Sequence, residues 1–159
     1  MLHKLIVLLC LWMFACVPPP AVSSTPTTSS TDIELEAAIE QARASLDTFL
    51  AKIRVPHADR TFVALKVRFT PTGESPQDIW VDAVTYTDGV LRGNVGDDIP
   101  ALRLEAGEKI TVDKADILDW MIVEDGKLIG GYTIRLAVQR MTPEERERFF
   151  ETLDYTIED

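Results

Sequence analysis

Carboxylates are the most plentiful side chains in this chain with chemical potential. Asp97 and Asp98, then Asp113, Asp116, Asp119, Glu124 and Asp125, crowd its second half. A pair of them across a cleft could serve as general acid and base, and several together could hold calcium, although the spacing of an EF-hand loop is absent. More often such residues cap turns and face water. Nucleophilic chemistry has few means here. The two histidines are His3 and His57, the two cysteines are Cys10 and Cys16, and Ser45 and Ser75 are the serines beyond Ser30. Neither serine sits in a Gly-x-Ser-x-Gly turn, so no triad of the usual kind assembles. No His-x-x-x-His pair offers zinc its usual three protein ligands. The sequence thus names no catalytic residue, no metal and no cofactor.

Binding chemistry has better candidates. Trp80 and Trp120 are aromatic anchors of the kind favoured at binding surfaces, although their apolar strand neighbours read first as core. Tyr86, Tyr132 and Arg135 could join Trp80 along a ligand groove. Asp119 interrupts an apolar strand and Arg135 follows paired glycines, so the two are expected to meet as a buried charge pair, with a ligand-facing role as the alternative. Gly130 and Gly131 precede a predicted helix, but no P-loop lysine or Gly-x-Gly-x-x-Gly accompanies them, and a tight turn explains them.

The N-terminal end supplies an address. His3 and Lys4 precede an apolar run from Leu5 to Val17, and Ala15 stands just before Cys16. Positive start, apolar stretch and small residue read as a bacterial secretion signal over residues 1–15. Met13-Phe14-Ala15-Cys16 looks like a lipobox, in which Cys16 becomes the lipidated N-terminus. The alternatives are an uncleaved anchor, for which the run falls short of the roughly 20 residues a spanning helix needs, and ordinary cleaved secretion. Pro, Ser and Thr dominate from Pro18 to Thr31. They cannot build a core, so residues 16–31 are expected to be the lipidated cysteine and an extended tether. The expected location is the cell envelope, facing the periplasm or exterior.

Sixteen basic against 26 acidic side chains give a formal net charge of −10. That excludes a basic nucleic-acid footprint and electrostatic docking on anionic lipid. Membrane attachment falls to the N-terminal lipid, and the domain is expected to bind an envelope protein or a small ligand.

Residues 32–159 read as one domain without cysteine, held by packing alone. Thr31 to Glu34 has the spacing of a capping box. Leu35, Ala38, Ile39, Ala42, Leu46, Phe49, Leu50 and Ile53 follow at helical steps, predicting one amphipathic helix that ends before Pro56. Val63, Leu65, Val67 and Phe69 then alternate as one face of a strand. Further strands are predicted over Ile79 to Tyr86, Val90 to Val95, Lys109 to Val112 and Ile117 to Glu124, with a return through Leu128 and Ile129. Asp88-Gly89 and Asp125-Gly126 mark two-residue hairpins. Ile134, Val138 and Met141 restore helical spacing, and Thr142-Pro143-Glu144-Glu145 caps a last helix running to about Leu153. The fold class is α+β, a small antiparallel sheet of about five or six strands flanked by an N-terminal helix and C-terminal helices.

Ile117-Leu118-Asp119-Trp120-Met121 followed by Gly126 to Arg135, GKLIGGYTIR, resembles the YegJ-like bacterial family known as domain of unknown function 2314. Lys66-Val67-Arg68-Phe69, Ile79-Trp80-Val81, Asp88-Gly89 with Gly93, and Arg140-Met141-Thr142-Pro143-Glu144 fit the same pattern. The resemblance spans about residues 62–150. It departs at Asn94-Val95-Gly96, where family members often carry Asn-x-Pro. The resemblance implies a domain and no activity. The expected function is a lipid-anchored, non-enzymatic binding domain. The alternatives are a carboxylate-based hydrolase of an envelope polymer and an acidic inhibitor or immunity-type protein.

Overall fold

A computed structural model describes residues 30–71 and 75–158. The signal, Cys16 and most of the tether lie outside the described residues. Ser30 and Thr31, expected at the tether's end, belong to the first turn of helix α1 (Ser30–Ala44). Helix α2 (Leu46–Arg54) follows after a single residue, Ser45. Periodicity predicted one uninterrupted helix. The break comes from a distant side chain: the Trp120 indole N–H donates to the Ala42 carbonyl at 3.0 Å and to Ser45 Oγ at 3.1 Å. Ser45 Oγ itself donates to the Gln41 and Ala42 carbonyls. Carbonyls engaged in this way bend or interrupt a helix.

The strands are β1 (Arg60–Phe69), β2 (Gln77–Thr87), β3 (Val90–Val95), β4 (Lys109–Val112), β5 (Ile117–Glu124) and β6 (Lys127–Gly130). They form one antiparallel sheet in the order β4-β3-β2-β1-β5-β6. Both Asp-Gly turns join hairpins where expected, β2 to β3 and β5 to β6. Helices α3 (Tyr132–Arg140) and α4 (Pro143–Glu151) complete the chain, with the predicted capping box at Thr142 and Glu145. The architecture is α+β, with six strands.

The sheet has two unlike faces. One packs beneath α1 and α2 and carries the main core: Leu65, Val67, Ile79, Val81, Leu91, Ile117, Trp120 and Ile122, with Phe49 and Leu50 from α2. The other carries a smaller cluster of Ala64, Met121, Val123 and Leu128, partly covered by Trp80, Ile134, Tyr155 and Ile157. A bulge in β2 decides which residue goes where. Between Asp82 and Thr85 the register with β3 shifts, and Ala83 adopts a φ of 47°. One extra residue reverses the alternation of a strand. Ile79 and Val81 face the helices before the bulge and Val84 and Tyr86 after it, whereas Trp80 faces the other way.

Candidate functional site

The residues that carried the sequence resemblance form a structural lock. Gly131 opens α3 in the left-handed conformation and has no side chain with which to cap the helix. Asp119, fully buried on β5, supplies the missing acceptor. Its carboxylate takes the backbone N–H of Tyr132 at 3.1 Å and of Thr133 at 2.7 Å, the Thr133 hydroxyl at 2.7 Å and its neighbour's N–H, Trp120, at 2.8 Å. A carboxylate at a helix N-terminus meets orphan donors and the positive end of the helix dipole. Burial pushes the Asp119 carboxyl above the usual carboxylate range, and the hydrogen bonds from Thr133, Trp120 and Tyr132 pull it back.

The paired glycines are there because nothing larger fits. At Gly130, φ is +74°, and a Cβ would collide with the Trp120 carbonyl and lie 2.6 Å from its indole Cε3. At Gly131, φ is +66°, and a Cβ would lie 2.7 Å from Leu128. Trp120 is 2 % exposed, tilted against Phe49 at 5.4 Å and edge-on to Tyr132 at 6.0 Å.

Arg135 does not pair with Asp119, contrary to the sequence expectation. Its guanidinium donates to the carbonyls of Gly130, Leu128 and Glu158, pinning the chain's last described residues beside β6. The helix N-terminus already satisfies the carboxylate, so the pair is not needed. Asp119 and Trp120 therefore lie in the interior, with Asp119 0 % and Trp120 2 % exposed.

The four residues expected along one groove are separated. Tyr132 and Arg135 border a depression between α1 and α3, where Arg140 and Glu34 already form an ion pair at 2.7 Å. Tyr86 lies on the helix-covered face, its ring under the Arg54 guanidinium at 4.7 Å and the Lys114 ammonium at 5.0 Å. The hydrogen bond from Lys114 and the two positive charges lower its phenol from the ordinary value. Trp80 is on the opposite face.

Most of the suspected acids are committed to structure. Glu124 is held by Lys52 at 3.0 Å and by Arg60 at 2.9 Å, which keep its carboxyl below the usual range. His57, Glu124 and Asp125 bring ligand atoms within 4.8 Å of one another, but the two cations on Glu124 disfavour a metal there. Asp98 accepts from the Ala106 N–H and Asp113 from the Ala115 N–H.

What remains is a groove of about 610 Å³ on the face of the sheet away from α1 and α2. Its apolar walls come from Phe62 and Ala64 of β1, Trp80 of β2, Met121 and Val123 of β5, Ile134 of α3, and Phe149, Leu153 and Tyr155 at the C-terminal end. Asp82, Asp97 and Asp154 stand among them, and the lining holds no Lys, Arg or His. None of these three carboxylates has a hydrogen-bond or ion-pair partner among the described residues. Phe62 is 41 % exposed. Lys66 lies opposite Trp80 in the β1–β2 register but is not part of the lining. The volume suits a ligand site, and apolar walls interspersed with carboxylates suit an interface.

Of the residues singled out from sequence, Trp80 and Asp97 line this groove. Phe62, Asp82 and Tyr155 went unnoticed. Phe62 carried a readable signal, an aromatic out of phase with the Val63-Leu65-Val67 face. Asn94 and Val95 close β3, and the next residue, Gly96, lines the groove and donates its N–H to the Trp80 carbonyl.

Comparison with known proteins agrees with the signature. The family described as "Uncharacterized protein conserved in bacteria (DUF2314)" matches residues 32–155. The uncharacterized protein YegJ of Escherichia coli K12 is 33 % identical over 136 residues, covering 84 % of this chain and 86 % of that protein. A putative ankyrin repeat protein of Neisseria meningitidis serogroup B is 37 % identical over 92 residues, 54 % of this chain and 35 % of that longer protein. No solved structure matches the chain significantly. Matched over most of its length, with the Asp119-Trp120 and Gly130-Gly131 lock in place, the chain belongs to the DUF2314 family of uncharacterized bacterial proteins.

Proposed function

We propose that this chain is an exported lipoprotein of the bacterial envelope whose domain is a non-enzymatic binding module. The groove at Trp80 is the observation that carries the reading. A partly buried tryptophan that still opens onto a groove shared with exposed Phe62 and with carboxylates lacking a partner among the described residues is surface available to a second molecule. Contiguous apolar surface of this kind marks interaction sites. Asp119 and Glu124 are engaged through both of their carboxylate oxygens in structural hydrogen bonds and ion pairs. The anchoring half of the proposal rests on the signal, Cys16 and the Pro/Ser/Thr segment.

Two experiments test the halves separately. Labelling cells with a fatty-acid analogue is expected to mark the chain and not Cys16→Ala; label retained in the variant removes the anchor. A photo-crosslinking residue placed at Phe62 is expected to yield a discrete adduct in living cells. The same residue at Ile33, 60 % exposed on α1, is the control and is expected to yield none. Equal adduct patterns at both positions would deny the groove a binding role.

A further inference from the structure

We infer that the occupant of the groove is a basic, amphipathic segment of a partner protein, an inference that rests on the proposed binding role of this face. The floor selects for an apolar anchor. Trp80, Met121 and Ile134 present hydrocarbon and ring surface, and no buried side-chain polar atom among the described residues lacks a hydrogen-bond partner. A small polar metabolite bound in a concave site is oriented by a few convergent donors and acceptors of matched kind, and here the charged groups of the lining are all carboxylates, with no Lys, Arg or His beside them. An apolar centre bordered by charge is instead the anatomy of a protein interface, in which buried aromatic or aliphatic anchors supply affinity and rim charges supply selectivity.

The sign of that selectivity follows from the lining. Asp82, Asp97 and Asp154 contribute three negative charges, none paired with a cation among the described residues, and no Lys, Arg or His stands in the lining. Some acids elsewhere in the fold are paired with cations: Glu124 holds Lys52 and Arg60, Asp78 holds Arg68, and Glu34 holds Arg140. An anionic or neutral segment entering the groove would leave these carboxylates repelled or uncompensated. A segment with Lys or Arg beside a Leu, Phe or Trp would satisfy both floor and edges, and its ammonium or guanidinium groups could also meet the aromatic faces. The overall charge of −10 adds long-range attraction for the same partner and repulsion for acidic ones.

The test uses the full chain in nanodiscs of zwitterionic lipid, titrated calorimetrically with the peptide Lys-Leu-Lys-Trp-Lys-Leu and with its counterpart carrying Glu for every Lys; empty nanodiscs are the blank. The basic peptide is expected to bind at least about tenfold more tightly, a difference of about 1.4 kcal/mol, and to weaken as salt is raised. The doubly substituted D82N/D97N chain is expected to lose most of that preference while melting at the parent temperature. Trp80→Ala is expected to lose binding of both peptides. Equal affinity for the acidic peptide would overturn the cationic occupant and leave the groove as a binding site. Unchanged binding of the basic peptide to both variants would place it elsewhere on the acidic surface and overturn the inference. Binding of neither peptide to the folded chain would overturn it too, with the crosslinks from Phe62 then judging the groove independently.

Discussion

Replacing Asp119 with alanine separates a structural carboxylate from a chemical one. The side chain accepts four hydrogen bonds, three from backbone N–H groups of Trp120, Tyr132 and Thr133 and one from a hydroxyl that can rotate to another acceptor. Alanine leaves the three backbone donors without an acceptor in a site that water does not reach. Each unsatisfied buried donor costs about 1–3 kcal/mol. Relief of the carboxylate's own desolvation offsets part of this, so the loss is expected near 4 kcal/mol, a large share of the roughly 5–15 kcal/mol that holds a domain together. Asp119→Asn keeps one acceptor oxygen for Trp120 and Tyr132 but turns an amide N–H toward that of Thr133, for an expected loss of about 2 kcal/mol. The pH dependence carries a sign as well. A carboxyl raised in the folded state binds its proton there more tightly than in the unfolded chain, so its contribution is greatest below the ordinary aspartate range and declines as pH rises through the raised value. Asp119→Asn removes that decline. Urea denaturation of the full chain, followed by circular dichroism across acid and neutral pH, reads all three quantities. A loss below about 1 kcal/mol for Asp119→Ala would refute the capping argument.

Further perturbations follow from the same geometry. Gly130→Ala adds a Cβ against the Trp120 carbonyl and indole at a φ of +74°, and is expected to cost about 3 kcal/mol or prevent folding, read by the same denaturation curves. Glu124→Gln breaks the pairs with Lys52 and Arg60 and is expected to cost about 2 kcal/mol at neutral pH. Because those cations hold the Glu124 carboxyl below its ordinary value, the parent loses this stabilisation as pH falls through the folded value, so the two stability curves should converge in acid. Ala83→Gly relieves a left-handed alanine at the β2 bulge and is expected to stabilise by about 0.5–1 kcal/mol, read as a raised melting temperature.

Local signals made most of the fold legible. The Asp88-Gly89 and Asp125-Gly126 hairpins, the Thr142 capping box and the alternation of Val63, Leu65 and Val67 each depend on residues close in sequence, and each element formed where those residues put it. The misreadings involve distant partners. Nothing near Ser45 announces that Trp120 will take the Ala42 carbonyl and divide the helix. No glycine marks the bulge at Ala83, which sends Tyr86 to the face opposite Trp80 although a plain alternation would keep the two together. The choice of Arg135 as partner for Asp119 weighed charge against charge and overlooked the N–H groups of a helix that begins without a cap. The groove shared that difficulty, because Phe62, Trp80, Asp97 and Tyr155 come from four separate segments that only the assembled sheet brings together.

Oxidative footprinting of Trp80 in the native envelope tests the proposed binding face most directly. Hydroxyl radicals label exposed indoles, and Trp120, 2 % exposed, is an internal reference expected to stay unreactive throughout. The account predicts that Trp80 of the purified full chain is labelled readily, that the same residue in intact envelopes is protected several-fold, and that Trp80 in the D82N/D97N chain is not. Equal labelling of Trp80 in the purified and envelope-bound parent would contradict it.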